Sequence, residues 1–162
     1  MDGSELAKRV RELNTARARE TTAVDALFDL FKLDPFPGDE VLRGAATTLQ
    51  TLASVCDFDR VAALASNTTF GTSRSPLLAW LVDHGGPRGL EVVVHQLADP
   101  TVRAVGLGQI RRYRPPPEHV IGSIESFLDD PDAHVRAEAA RTANLLYLAV
   151  FAPSLRTWPG TR

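Results

Sequence analysis

The residues best suited to chemistry in this chain are arginines in its C-terminal half. Three arginines within four positions flank a tyrosine, at the end of an apolar helical pattern. Guanidinium groups bind carboxylates and phosphates, and a tyrosine among them can stack or pack at an interface. Cations at the negative end of a helix dipole are the alternative interpretation. The predicted partner-binding residues are Arg88, Arg111, Arg112, Tyr113, Arg114 and Arg141.

A second group of residues could line a pocket. Trp80 and Asp83 are three residues apart on one predicted helix, and His84 and His95 follow them. An indole, a carboxylate and two imidazoles that converge in a deep cavity could bind a small molecule or a nucleobase. Burial of Trp80 in the core is the alternative interpretation. The four residues are therefore pocket candidates.

The other reactive residue types form no catalytic motif. The glycines at 85–89 lack the Lys-Ser/Thr of a phosphate-binding loop, and no Gly-x-Ser-x-Gly sequence occurs. The four histidines are scattered and none is followed by glutamate, so we predict no metal and no cofactor. Cys56 is predicted to be a buried, inert thiol. We therefore do not expect an enzyme.

Charge and composition restrict the class of protein. The formal net charge is −2, whereas a dedicated nucleic-acid-binding protein is strongly basic. One cysteine precludes an internal disulfide, and the charged N-terminus does not resemble a signal peptide. No apolar stretch approaches the 18 residues that predict a membrane span. These features predict a cytoplasmic protein that does not insert into a membrane.

Apolar residues recur at helical spacing along nearly the whole chain, and prolines and glycines separate the segments. This pattern predicts a single all-α domain of about seven to eight antiparallel-paired helices. The polar stretch 66–73 is predicted to be the longest loop. The predicted parts are N-terminal capping helices in 1–38, degenerate helical pairs in 39–86, two repeats in 87–151 and a tail in 152–162.

The two repeats share a short motif. Asp-Pro occurs at 99–100 and 130–131, and Val-Arg-Ala occurs at 102–104 and 135–137. A fixed period of 20 to 50 residues is typical of stacked helical units. In each unit the aspartate would cap the turn, the proline would start the second helix, and the valine would enter a shared core. The predicted helices cover 87–98, 100–113, 117–129 and 132–151.

The motif Leu-x-Asp-Pro-x-x-x-Val-Arg-x-x-Ala-Ala resembles the short bacterial HEAT-like repeat, the type also found in phycobilisome lyases. Residues 128–146 match it well and residues 97–113 match it fairly, and the resemblance extends over 87–151. In such families the turn aspartate and the Val-Arg arginine commonly form a ladder between adjacent repeats. The resemblance therefore implies a HEAT-like α-solenoid with a structural ladder made of Asp99, Arg103, Asp130 and Arg136.

Two enzyme families have a similar architecture. HEAT-repeat hydroxylases hold di-iron with His-Glu pairs, which this chain lacks. HEAT-like alkylpurine DNA glycosylases present a tryptophan and an aspartate on a concave face, with arginines against the DNA backbone. Trp80 and Asp83 are similar to that pair in outline only.

Taken together, the sequence favours a non-catalytic protein–protein interaction or scaffold module whose partner is another protein, with acidic segments suited to its arginines. The apolar run 145–152 must be covered by the tail or by a partner, and it could also mediate homo-oligomerisation. The alternatives are a nucleic-acid-binding helical-repeat protein of the glycosylase-like kind and a lyase-like accessory protein that binds a small molecule.

Overall fold

The computed structural model describes residues 20–35, 38–114 and 117–155. Within these ranges the backbone forms eight α-helices and no strand, which confirms the all-α prediction. Of the predicted capping helices in 1–38, residues 1–19 lie outside the described residues, as do residues 156–162 of the predicted tail. The helices are α1 (20–30), α2 (Asp39–Leu52), α3 (Phe58–Ser66), α4 (Ser75–His84), α5 (Gly86–Gln96), α6 (Arg103–Ile110), α7 (Glu118–Glu125) and α8 (Ala133–Leu155).

The helix boundaries follow local chemistry. Pro76 and Pro87 lie in the first turns of α4 and α5, where the missing N–H has no helical acceptor in any case. α6 begins three residues later than predicted and α7 ends four residues earlier. α6 begins late because Asp99 binds the N–H of Thr101 and holds the turn out of the helix. α7 ends early because Phe127 and Leu128 donate to carbonyl oxygens three residues back, which tightens the last turn beyond α-helical geometry.

The helices form two layers. α2, α4, α6 and α8 pack side by side in that order, and α3 packs beside α5 in the second layer. Arg60 of α3 binds Asp25 of α1 at 2.7 Å and covers the ring of Phe28 at 3.8 Å, so α1 also belongs to the second layer. Between the layers, α3 packs on α4, α5 on α6, and α7 on α8.

α4 lies at the centre of the core. It contacts α2, α3, α5 and α6, and six consecutive residues of it, from Leu77 to Val82, are buried. The crossing of α4 and α5 is close at Gly89, where an added Cβ would lie 2.0 Å from the carbonyl oxygen of Leu81. Val102 and Val135 are 1% and 3% exposed, so both motif valines lie in the core.

The segment predicted as the longest loop is instead part of the core. Thr68–Arg74 forms 3₁₀ turns, and Phe70, Ser73 and Arg74 are buried. Gly71 bends the segment with φ 47°, a conformation that glycine adopts without steric cost. The bend lets Phe70 pack edge-on against Phe31, with 5.1 Å between ring centroids. The prediction was wrong because the segment is mostly polar in composition, yet three of its side chains, those of Phe70, Ser73 and Arg74, are buried.

Candidate functional site

The turns between paired helices share one design. Asn67, Asp99 and Asp130 each accept, through Oδ1, the backbone N–H of the residue two positions later, at 3.1, 2.9 and 2.9 Å. This is an Asx turn. Asp34, in the connection from α1 to α2, lies 33 residues before Asn67. The unit of two helices and a polar-led turn therefore recurs upstream of residue 87, where the sequence motif had not been found.

Arg74 follows the Asn67 turn and its side chain is 0% exposed. Its Nη1 donates to the carbonyl oxygen of Ala65 and to Oε1 of Gln96, both at 2.6 Å, and its Nε donates to the carbonyl oxygen of Gly71 at 3.2 Å. Its Nη2 binds the carboxylate of Asp99 in the next turn. Burial lowers the pKa of Arg74, and the charge of Asp99 opposes that shift. Arginine stays protonated in proteins, so this carboxylate compensates a buried positive charge.

The environment of Asp99 favours its ionised form. Burial alone would raise the pKa of this carboxyl group. The hydrogen bonds from Thr101 and the charges of Arg74 and Arg103 outweigh burial, so the pKa lies below its usual range. Asp99 is therefore both the anchor of its own turn and the counter-ion of the preceding unit.

Arg103 repeats this arrangement one unit later. Its Nε and Nη2 donate to the carbonyl oxygens of Leu97 and Ala98 at 2.7 and 3.0 Å. Its Nη1 donates to Oδ2 of Asp130 at 2.7 Å, and the Asp130 side chain is only 5% exposed. We call the two ion pairs Arg74–Asp99 and Arg103–Asp130 the turn ladder. Each of its ion pairs joins the arginine of one unit to the turn aspartate of the next.

Arg136 is the corresponding arginine of the last unit. Its Nη1 donates to the carbonyl oxygens of Asp130 and Pro131 at 2.8 and 3.0 Å. Among the residues described, no carboxylate contacts its guanidinium. The repeat resemblance implied a ladder of four residues. In the structure Arg103 pairs with Asp130, whereas Asp99 pairs with Arg74, which was not among the four. Arg136 binds carbonyl groups and, in the described ranges, no carboxylate.

The arginines proposed to bind a partner are mostly paired with acidic side chains. Glu138 lies between two of them, with Oε1 2.6 Å from Arg141 and Oε2 3.4 Å from Arg111. Arg112 binds Asp83 at 2.7 Å. These ion pairs connect α4, α6 and α8 and the residues just after α6, all in one helix layer.

The remaining members of that predicted set are not equivalent. Arg114 is exposed and has no acidic partner in the described part of the chain, whereas Tyr113 is half-buried against the core. Arg88 lies on α5 in the other layer, where it binds Asp59 at 3.2 Å and covers the ring of Phe58 at 4.4 Å. We therefore exclude Arg88 and define the second-helix arginine surface as Arg111, Arg112, Arg114 and Arg141.

The four pocket candidates do not converge. Trp80 is 0% exposed and donates its indole N–H to the carbonyl oxygen of Ala53 at 3.1 Å. His84 stacks against that indole with 5.3 Å between ring centroids, and Asp83 is held by an arginine. His95 lies on α5 and lines a separate cleft. A buried Trp80 offers no face on which a nucleobase could stack.

The cleft beside His95 lies between α5 and α7 and has a volume of about 430 Å³. On its wall, His119 hydrogen-bonds to Glu91 at 2.7 Å, and both side chains are about half exposed. Ser123 donates its hydroxyl to the backbone carbonyl of His119 at 3.0 Å. Because the Ser123 hydroxyl donates its hydrogen bond to the helix backbone and not to the imidazole, His119 does not activate this serine as a nucleophile.

Cys56 was predicted to be buried and is exposed. It lies in the 3₁₀ turn Val55–Asp57 between α2 and α3, rather than on the inner face of a helix. It lines a cleft of about 220 Å³ whose other polar side chains include Glu20 and Asp57. No histidine lines the cleft, so the described residues place no imidazole base beside this thiol.

Across the described ranges, no group of three His, Cys, Asp or Glu side chains could hold a metal ion. None of the helices in those ranges combines the length and the apolar composition that crossing a membrane requires. Comparison of the chain with models of protein families, with curated proteins and with solved structures gives no match in any of the three.

Proposed function

We propose that this chain is a cytoplasmic HEAT-like α-solenoid that binds another protein and does not catalyse a reaction. The support comes from helix pairs in two layers, from a polar-led turn that recurs every 31 to 33 residues, and from ion pairs that join successive turns. Stacks of this kind offer extended surfaces built from several helices. The proposed surface is the second-helix arginine surface.

The observation that carries this proposal is the local excess of positive charge. Within the described part of the chain, four arginines meet two carboxylates there, those of Asp83 and Glu138. The side chains of Arg112 and Arg141 are 49% and 64% exposed, so their remaining N–H groups face solvent. Exposed ion pairs contribute little stability and can exchange partners readily. An acidic protein segment is therefore the ligand that we expect on this surface.

A nucleic-acid ligand is the second candidate for the same arginines. Two carboxylates held among the arginines would repel phosphate groups, and the formal net charge of −2 provides no long-range attraction. The glycosylase-like alternative needs an accessible tryptophan, whereas Trp80 is buried. The lyase-like alternative needs polar groups converging in a cavity, and the pocket candidates are dispersed.

Binding of two labelled probes to the full chain tests the proposal. The first is a 12-residue peptide in which glutamate alternates with serine, and the second is a 16-base-pair DNA duplex. We expect the peptide to bind more tightly than the duplex. The double variant Arg112→Ala, Arg114→Ala should weaken peptide binding by about tenfold, since two exposed charges are lost.

Arg43→Ala is the matched control, because Arg43 is an exposed arginine on α2 outside the proposed surface. Its affinity for the peptide should equal that of the unmodified chain. Tighter binding of the duplex, with affinity falling steeply as salt rises, would favour nucleic acid instead. Equal peptide affinities in the double variant and the control would remove the second-helix arginine surface from consideration.

A further inference from the structure

The turn ladder has an unfilled position at its C-terminal end. Arg74 and Arg103 each hold two main-chain carbonyl oxygens of their own unit and one carboxylate of the next turn. Arg136 holds the two carbonyl oxygens and, among the described residues, no carboxylate. Arg74 also donates to Gln96. Arg136 is exposed, whereas the side chains of Arg74 and Arg103 are 0% and 18% exposed, so Arg136 has fewer ligands than the other two and is open to a further one.

The nitrogen atoms left over at Arg136 suit a carboxylate. Both of its carbonyl contacts use Nη1, whereas Arg103 gives a different nitrogen to each ligand. Nε and Nη2 of Arg136 donate to no acceptor in the described ranges. These two nitrogens present parallel N–H groups along one edge of the guanidinium, the geometry that binds a carboxylate through both oxygens.

An exposed leucine accompanies this arginine. Leu97 and Leu128 each lie two residues before a turn aspartate, yet Leu97 is 2% exposed and Leu128 is 39% exposed. On α8, Leu145 and Leu148 are 36% and 53% exposed. In the unit before, Arg103 binds a carboxylate and Leu97 is buried. The corresponding Arg136 has unused N–H groups, and the corresponding Leu128 is partly exposed.

We propose that Arg136 and Leu128 form a docking site for a partner protein segment that carries an aspartate-led helical turn. The aspartate binds Nε and Nη2 of Arg136, and an apolar side chain of the segment covers Leu128. The turn aspartates of this chain bind the preceding arginines through one terminal nitrogen each, Nη2 of Arg74 and Nη1 of Arg103. Charge complementarity favours a partner over the C-terminal tail, because residues 139–162 contain no Asp or Glu. The site is separate from the second-helix arginine surface, so neither proposal depends on the other.

The test uses a peptide with the turn sequence that Arg103 already accepts, Ser-Phe-Leu-Asp-Asp-Pro-Asp-Ala-His-Val, which is the sequence of residues 126–135. The full chain, labelled with ¹⁵N, is titrated with this peptide while the Nε–Hε signal of Arg136 and the amide signal of Leu128 are followed. We expect saturable shifts of both signals. A matched peptide with asparagine in place of the second aspartate should bind about tenfold more weakly, because it lacks the carboxylate.

Arg136→Gln should weaken binding of the aspartate peptide by about tenfold, since the guanidinium edge is lost. Arg114→Gln makes the same change of net charge at an exposed arginine elsewhere and should leave the affinity unchanged, which also separates this site from the one proposed above. Leu128→Ser should weaken binding as well, and its exposed position makes it a second variant if Arg136→Gln proves unstable in a thermal melt.

Three results would overturn the proposal. The first is the lack of a saturable shift at Arg136, and the second is equal affinity for the aspartate and asparagine peptides. The third is concentration-dependent sedimentation of the unmodified chain that Arg136→Gln abolishes, because the occupant would then be a second copy of this chain.

Discussion

Arg74 has the most demanding environment of any charged residue in the described part of the chain. Its side chain is completely buried, and its charge is compensated by one carboxylate and by carbonyl and amide oxygens. Removing one partner of a buried ion pair leaves an uncompensated charge, which is costlier than losing a pair in water. Exposed pairs in the same molecule, such as Arg112 with Asp83, provide the contrast.

We predict that Asp99→Ala lowers the free energy of unfolding by about 3 kcal/mol, because Arg74 loses its counter-ion while remaining buried. Asp83→Ala removes the partner of an exposed arginine and should change that free energy by about 0.5 kcal/mol. Urea titrations of both variants measure the difference. A loss below about 1 kcal/mol in Asp99→Ala would mean that water reaches Arg74 and compensates it.

At the scale of helices, glycine decides how closely two of them approach. Gly89 of α5 lies against the backbone of α4, and a methyl group there would overlap the carbonyl oxygen of Leu81. Gly44 lies within α2, and a methyl group there would meet nothing within 4 Å. Both glycines lie within α-helices, but only Gly89 has close neighbours. Comparing alanine substitutions at the two positions therefore distinguishes the effect of packing from the effect of helix propensity.

Gly89→Ala should destabilise the protein by about 3 kcal/mol, since backbone atoms of α4 must move to admit the methyl group. Gly44→Ala should stabilise it by about 0.5 to 1 kcal/mol, because alanine loses less conformational entropy in a helix. Thermal melts followed by circular dichroism compare the two variants. Equal midpoints would show that α4 and α5 are further apart than the structure places them.

Features of the fold that depend on residues close together in the sequence were predicted correctly, and features that depend on distant residues were not. Helices and the burial of Val102 and Val135 were predicted, because apolar periodicity and the repeated motif are local signals. The unit around Asn67 and Arg74 was missed, since its turn has asparagine in place of aspartate and has no proline. A neutral residue is consistent with this position, because the hydrogen bonds that the Asn67 side chain accepts in the described ranges come from Thr69 and not from an arginine.

The candidate site was predicted less well than the fold. Sequence identified the exposed arginines after α6 but not their carboxylate partners, which lie 27 to 29 residues away. The sequence also suggested a pocket formed by Trp80 and three polar residues. These residues are near one another in the sequence, but they do not line a common cavity. Contacts between units depend on how the units stack, and that arrangement is encoded in the whole core rather than in any one motif.

In the whole molecule, polar contacts join each unit to the next in both layers. Asp25–Arg60 and Asp59–Arg88 cross the layer of α1, α3 and α5, while Asp83–Arg112 and Arg111–Glu138 cross the other layer. The contacts between units therefore include a series of charge pairs whose strength varies with burial. The turn ladder adds the pair of Arg74 and Asp99, in which the arginine is fully buried. This pair should dominate the change in unfolding free energy at low pH.

A carboxyl group whose pKa is lower in the folded state stabilises that state above its unfolded pKa, and the stabilisation is lost as pH falls through the folded value. The pKa of Asp99 is lowered by folding, and its unfolded pKa is about 3.9. We predict that Asp99→Asn is less stable than the unmodified chain at pH 7. The two unfolding free energies should converge as pH falls below about 4.

Urea unfolding at a series of pH values between about 6 and 2.5 measures this convergence. A constant difference between the two proteins over that range would contradict the prediction, since the contribution of Asp99 would then not depend on its ionisation.

The distance along the chain from each turn residue to its arginine is not constant. Arg74 comes seven residues after Asn67, Arg103 comes four after Asp99, and Arg136 comes six after Asp130. All three arginines nevertheless donate to main-chain carbonyl oxygens that precede them in the chain. For Arg74 and Arg103 these include carbonyl groups at the end of the preceding helix, and for Arg136 they are those of Asp130 and Pro131 in the turn. The hydrogen bonds from arginine to the main chain thus form whatever the number of residues between the turn residue and the arginine. Insertions and deletions in these turns should be tolerated in related sequences, and a search that allows gaps there would identify units that a fixed-length motif overlooks.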